Sequence, residues 1–160
     1  MKTYQDITKL REIIQNAQFT RKITHAFVHC SATEPTASVQ SILNYWKNVN
    51  KWLNVGYHVI VSLDNFTILE DFNWSTNGVA GYNSHSVHIC YIGGGTRPLS
   101  SGKFVPKDTM NAYQEQAVRV FLEEFKRRIN GIKILGHNEV ANKACPSFKV
   151  KEKFADLHNN

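Results

Sequence analysis

The six residues Val87-His88-Ile89-Cys90-Tyr91-Ile92 constrain this chain most, because a run so nearly apolar throughout suits a central strand covered on both faces. Such a strand needs sheet neighbours on either side and helices above and below. The chain supplies both. Residues 23–29 read as a strand whose alternation puts His25, Phe27 and His29 on one side and Thr24, Ala26 and Val28 on the other. Residues 57–63 are rich in β-branched side chains, and Asp64-Asn65 turns them into a second hairpin arm over 66–70. A short strand follows at 132–135.

Helical spacing falls between these strands. Asp6 caps a helix with Ile7, Leu10, Ile13 and Ile14 on one face. Ser38 caps another, carrying Val39, Ile42, Leu43, Trp46 and Val49, which ends before Gly56. The longest helix is expected from Asp108 or Thr109, with a buried stripe of Met110, Tyr113, Ala117, Val120, Phe121 and Phe125 and a stop at Asn130-Gly131. Residues 149–157 read as a last short helix, and 72–86 and 96–107 as loops. With no linker and no internal repeat, this interleaving predicts an α/β single domain: a central mixed β-sheet with helices packed on its faces. A chain of 160 residues can bury one continuous core without help from disulfides.

Charge and cysteine usage narrow the function. Nineteen Lys and Arg against 13 Asp and Glu give +6, which favours polyanionic partners of any kind. No aromatic RNA-binding strand pattern, helix-turn-helix spacing or Arg-rich run is present, so nucleic acid is not the expected partner. Cys30, Cys90 and Cys145 are odd in number and scattered, which argues against a disulfide framework. No apolar leader and no membrane-length apolar window is found, so synthesis in the cytoplasm and a monomeric state are expected, with another factor releasing the protein to its place of action. The triplet Gly93-Gly94-Gly95 lacks the Lys-Ser/Thr and helix of a phosphate loop.

Chemistry concentrates in His137-Asn138-Glu139-Val140-Ala141-Asn142-Lys143-Ala144-Cys145-Pro146-Ser147-Phe148, which places an imidazole, an ammonium and a thiol within nine residues on a loop leaving a strand. His with Cys is a pairing that zinc favours, and a hydrolytic zinc takes three protein ligands and keeps a fourth position for water. His29, at the end of its strand, can complete the set if the two strands carrying the histidines lie close in the sheet.

The motifs Phe27-Val28-His29-Cys30-Ser31-Ala32-Thr33, Gly56-Tyr57-His58-Val59-Ile60 and Gly81-Tyr82-Asn83, followed by the loop just quoted, occur in that order. Together they closely resemble the zinc-dependent N-acetylmuramoyl-L-alanine amidases, in particular the bacteriophage lysozymes of amidase type, which share a fold with peptidoglycan recognition proteins. The resemblance runs from about Ile23 to Val150, leaving residues 1–22 as an N-terminal helical extension to a catalytic domain over 23–160. It implies zinc ligands at His29, His137 and Cys145, a catalytic tyrosine at Tyr57 and a catalytic lysine at Lys143. It implies cleavage of the amide joining the lactyl group of N-acetylmuramic acid to L-alanine in peptidoglycan, as a phage or prophage endolysin would perform it on the cell wall.

Physical chemistry agrees with those roles. Zinc lowers the pKa of a bound water to about 7 and polarises the scissile carbonyl. Lys143, tethered two residues from Cys145, can neutralise the developing oxyanion. With an ordinary pKa of about 10, Tyr57 is a poor base at neutral pH and a better proton donor. Glu139 suits a supporting hydrogen bond or salt bridge. Ser31 and Thr33 can line the cleft or serve the turn they occupy. Some phage relatives have a histidine shortly before Gly-Tyr-Asn where this chain has Asn77-Gly78-Val79-Ala80, and His85 is a candidate substitute as a substrate contact. Two other readings compete. A muropeptide-binding protein of the same fold that does not cut would lack a zinc ligand, usually the cysteine, and this chain keeps Cys145. A structural zinc site in a nucleic-acid-binding protein would need a fourth ligand from Cys90, His88 or His85.

Overall fold

The computed structural model describes residues 1–158. The elements in order are β1 (Lys2–Tyr4), α1 (Ile7–Asn16), β2 (His25–Cys30), α2 (Val39–Asn48), β3 (Val59–Val61), β4 (Phe66–Ile68), β5 (Ser86–Tyr91), β6 (Gly95–Thr96), β7 (Val105–Pro106), α3 (Ala112–Arg128), β8 (Lys133–Gly136) and α4 (Val150–Lys153). Six strands form one mixed sheet in the order β1-β4-β3-β5-β2-β8. Strands β3, β5, β2 and β8 run parallel, with β8 at one edge, while β4 pairs antiparallel with β3 and β1 antiparallel with β4 toward the other. All six residues of β5 are buried, as its apolar run requires.

The two faces of the sheet are covered differently. Ala26, Val28, Val59, Val61, Val87, Ile89 and Ile134 point toward α1 and α3, where Leu10, Ile14, Phe121 and Phe125 complete the larger core. On the other face Ile60, Cys90 and Ile92 meet Ile42 and Trp46 of α2. Each long helix begins with a side-chain cap: Asp6 accepts from the Thr8 amide, Ser38 from Ser41, and Asn111 forms a reciprocal box with Gln114. Gln114 does more. Fully buried, it donates to the carbonyls of Val61 and Ile92 at 3.2 and 3.0 Å, tying the start of α3 to the ends of β3 and β5. Glu124, also fully buried, is paired with Arg11 of α1 and with Arg127.

Several boundaries differ from those expected. The expected strand over 57–63 shortens to β3, because His58 turns its backbone N–H to His88 and its carbonyl to Leu69 before the ladder begins. The long helix starts at Ala112 and not at Asp108 or Thr109, since Asn111 takes the cap and Thr109 Oγ1 is used by the Gly94 amide. The 96–107 stretch is not wholly irregular: β6 pairs antiparallel with β7. The last helix is confined to α4. Strand β1, too short and polar to read from periodicity, pairs with the edge strand β4. Among the described residues no helix is long and apolar enough to cross a membrane.

Residues 1–22 therefore contribute both an edge strand and two core side chains. Leu10→Ala removes a fully buried side chain between α1 and α3, and a stability loss of about 2–5 kcal/mol is expected in urea unfolding. A loss near zero would mean that α1 does not belong to the cooperative core.

Candidate metal centre

Strand β2 pairs in parallel with β8, Val28 opposite Gly136, so the next residue of each chain, His29 and His137, leave the sheet side by side at the carboxyl ends of neighbouring strands. Their rings lie 4.9 Å apart, edge to face. Beyond His137 a 3-10 turn (His137–Glu139) starts the loop that returns Cys145 to the same point. Candidate ligand atoms of His29, His137 and Cys145 all lie within 4.8 Å of one another, and among the described residues this is the one group of its kind. The Cys145 Sγ is 3.7 Å from His29 Nδ1.

The returning loop is held from several sides. Cys30 donates its backbone N–H to Cys145 Sγ at 3.3 Å. Tyr91 donates its phenol proton to the Pro146 carbonyl at 2.7 Å, and Ser147 donates its hydroxyl to the Gly94 carbonyl at 2.6 Å. Gly94 adopts φ +96°, and a Cβ there would stand 2.3 Å from Cys30 Sγ, so both conformation and space demand glycine. The Cys30 side chain is buried, as its place on the strand suggests, and its sulfur lies 3.7 Å from Ser147 Oγ.

Desolvation governs the protonation of the cluster. Burial, and then the neighbouring His88, His137 and Lys143, hold His29 well below the usual imidazole range. Burial and then Lys143 lower His137 to about 4. Both rings are neutral, the form that ligates a cation. Contact with the Cys30 thiol, and then burial, raise Cys145 well above the thiol range. Tyr57 packs its ring 4.6 Å from that of His29 and 5.3 Å from Trp46. Desolvation, followed by the nearby cysteines, raises its phenol well above the ordinary value, so it stays protonated at neutral pH. Lys143 is exposed on the turn, close enough for its charge to depress both imidazoles.

The remaining candidates are engaged in bonds of their own. Glu139 accepts from the Gly136 amide at 2.6 Å and pairs with His158 at 2.7 Å, so its carboxylate braces the turn. The Ser31 and Thr33 hydroxyls are 2.7 Å apart, Ser31 Oγ accepts from the Gly93 amide, and Thr33 donates to the Glu34 carbonyl; these bonds knit the loop after β2 to the loop after β5. The structure does not bring His85 to the centre. It precedes β5 and meets the His25 ring edge-on and the Tyr82 ring at a tilt; His25 is four residues before His29, or about 13 Å along the strand. Arg21 escaped the sequence reading, and His88 entered it only as a possible fourth ligand of a structural zinc site. Arg21 organises the loop before β5 by donating to the carbonyls of Phe72, Ser84 and Ser86. His88 places Nδ1 3.0 Å from His29 Nε2; its one sequence signal was a histidine inside an otherwise apolar strand.

Comparison with known proteins is consistent along the whole body. Residues 19–148 match the family model described as N-acetylmuramoyl-L-alanine amidase. The chain is similar to the endolysin of Klebsiella phage KP32, 38% identical over 138 residues that cover 84% of this chain and 88% of the relative. In fold it is similar to the Ph2119 endolysin from Thermus scotoductus MAT2119 bacteriophage Ph2119, with a TM-score of 0.66, 18% identity and 90% of each chain covered. It is similar also to Drosophila PGRP-LB, solved as a mutant in complex with tracheal cytotoxin, with a TM-score of 0.67, 18% identity and 89% and 86% of the two chains covered. By the extent of the family match and by its identity to the phage relative, this chain belongs to the N-acetylmuramoyl-L-alanine amidase family.

Proposed function

We propose that the amidase reaction of this family, hydrolysis of the bond between the lactyl group of N-acetylmuramic acid and L-alanine, runs at a zinc ion held by His29, His137 and Cys145, with Tyr57 and Lys143 acting on the substrate. The observation that carries this reading is the convergence of the three side chains at the carboxyl ends of β2 and β8. The donor set fits the metal. A tetrahedral zinc with sulfur at about 2.3 Å and nitrogen at about 2.05 Å separates those two atoms by about 3.6 Å, against 3.7 Å between Cys145 Sγ and His29 Nδ1. Bound there, zinc would supply a water acidic enough to ionise near neutral pH and a Lewis acid for the carbonyl.

The protein's own groups supply the rest. His29 and His137, kept neutral by desolvation, offer lone pairs without first losing a proton. Cys145 gives up its thiol proton on ligation, and the Cys30 N–H remains to stabilise the sulfur. The protonated Tyr57 phenol can donate toward the substrate oxygen as negative charge builds on it. Lys143, exposed at the edge of the centre, would bring a positive charge to the oxyanion that develops on the substrate. Residues 23–160 form the catalytic unit in this reading, and residues 1–22 contribute packing. Peptidoglycan is the partner, and the endolysins among the relatives support action on a bacterial cell wall.

Three substitutions test the assignment. Cys145→Ser is expected to lose stoichiometric zinc and the release of soluble peptide from purified walls together; a zinc-free variant that still cuts walls would remove the metal from the reaction. Lys143→Ala should keep its zinc while kcat falls about 10²- to 10³-fold, and turnover at the native rate would show that the ammonium does not face the oxyanion. Tyr57→Phe, lacking only the phenol oxygen, should lower kcat with KM and zinc content unchanged, and an unchanged kcat would exclude the donor role.

A further inference from the structure

His88 is a fully buried polar side chain on β5, and its ring is fixed on three sides. Phe27, its register partner on β2, stacks against it at 5.6 Å and 14°. His58 flanks it from the β3 side at 5.9 Å and 6°. The backbone of Gly78 closes over its edge so tightly that a Cβ at that position would stand 2.4 Å from His88 Nδ1. Held in this way, His88 directs Nδ1 at Nε2 of His29, 3.0 Å away.

Proton bookkeeping in this row admits few arrangements. A neutral imidazole has one N–H and one lone pair. His58 Nδ1 accepts the backbone N–H of His88 at 3.1 Å, so its own proton sits on Nε2, 2.8 Å from the Trp74 carbonyl, and His58 is fully engaged. His29 turns Nδ1 toward Cys145. If that nitrogen is to offer a lone pair, its proton must lie on Nε2, where a fully buried N–H needs an acceptor. His88 Nδ1 stands in that place.

The geometry points to His88 as a positioning residue for the metal centre: by accepting the Nε2–H of His29 it selects the tautomer and the ring orientation that present Nδ1 to the cluster. The inference rests on the zinc reading above and adds a residue to it. The assignment puts the His88 proton on Nε2, which has no hydrogen-bond partner among the described residues, so the row carries one unsatisfied buried N–H. A buried polar group left unpaired in this way calls for an explanation, and the bond its other nitrogen makes to His29 supplies one. Gly78 belongs to the same device, because any side chain there would displace the ring.

The test compares His88→Phe, which keeps a ring and removes the acceptor, with His88→Asn, whose Oδ1 can stand near the former Nδ1. Zinc affinity is measured by chelator competition. His88→Phe is expected to bind zinc about 10- to 100-fold more weakly than the native protein, and His88→Asn to recover most of that loss. Native-like affinity in a folded His88→Phe, or equal weakening in both variants, would overturn the role of His88. A native protein that binds no zinc would instead overturn the metal-centre reading itself. Should His88→Phe fail to fold, long-range proton–nitrogen NMR on the zinc-loaded native chain decides: His29 protonated at Nε2 is the expected result, and protonation at Nδ1 refutes the proposal.

Discussion

The site depends on the parallel pairing of β2 with β8 in a single register. Gly136 lies opposite Val28, so the residues that follow, His137 and His29, emerge at the same height. A slip of one residue would carry alternate side chains to the opposite face, sending the histidine side of β2 into the α1 and α3 core and the apolar side toward α2. The core enforces the register. Ala26, Val28 and Ile134 are all fully buried in the larger cluster, and α3, which links β5 to β8, is anchored at its start by the two carbonyls that Gln114 grips. Packing on one face of the sheet thus sets the geometry of the chemistry on the other.

That chemistry is built from groups whose charged forms are disfavoured before any cation arrives. Burial is the first cause for both histidines and for Tyr57, and for Cys145 it acts second to the neighbouring Cys30 thiol. A centre of two neutral imidazoles and a protonated thiol presents little positive charge of its own to a divalent ion. Ligation has then to displace only the Cys145 proton. Lys143 stays exposed on a turn. Its charge helps to hold the His29 and His137 imidazoles deprotonated.

The sheet and its covering helices were legible in the sequence because each rests on a local signal, whereas the meeting of His29, His137 and Cys145 was implied by the family resemblance and depends on the pairing of β2 with β8. Strand alternation separates His29 from Val28, a long apolar run marks β5, and the 137–148 loop carries its motif intact. What escaped reading depends on contacts between distant parts of the chain. Strand β1 is three polar or aromatic residues that become a strand only by meeting β4. Arg21 reads as one more surface cation, yet its guanidinium satisfies carbonyls 51 to 65 residues away. His85 has the right residue type for a cleft contact, but it stands before β5, at the end of the sheet opposite the carboxyl ends where His29, His137 and Cys145 gather.

His88 shows most plainly why residue type alone could not assign these histidines. On its own strand it is an imidazole among apolar neighbours, and the ordinary expectation is a satisfied core residue. Its place is set by Gly78, ten residues earlier in a loop. The space left by that glycine is the space the His88 ring occupies. The two positions form one steric unit: a side chain at 78 requires a smaller residue at 88, and an imidazole at 88 requires none at 78. The polar ring beside His29 is thus carried by a rigid strand. The strand gives it a fixed orientation, because Phe27 and His58 hold its flanks through the same backbone ladder that carries His29.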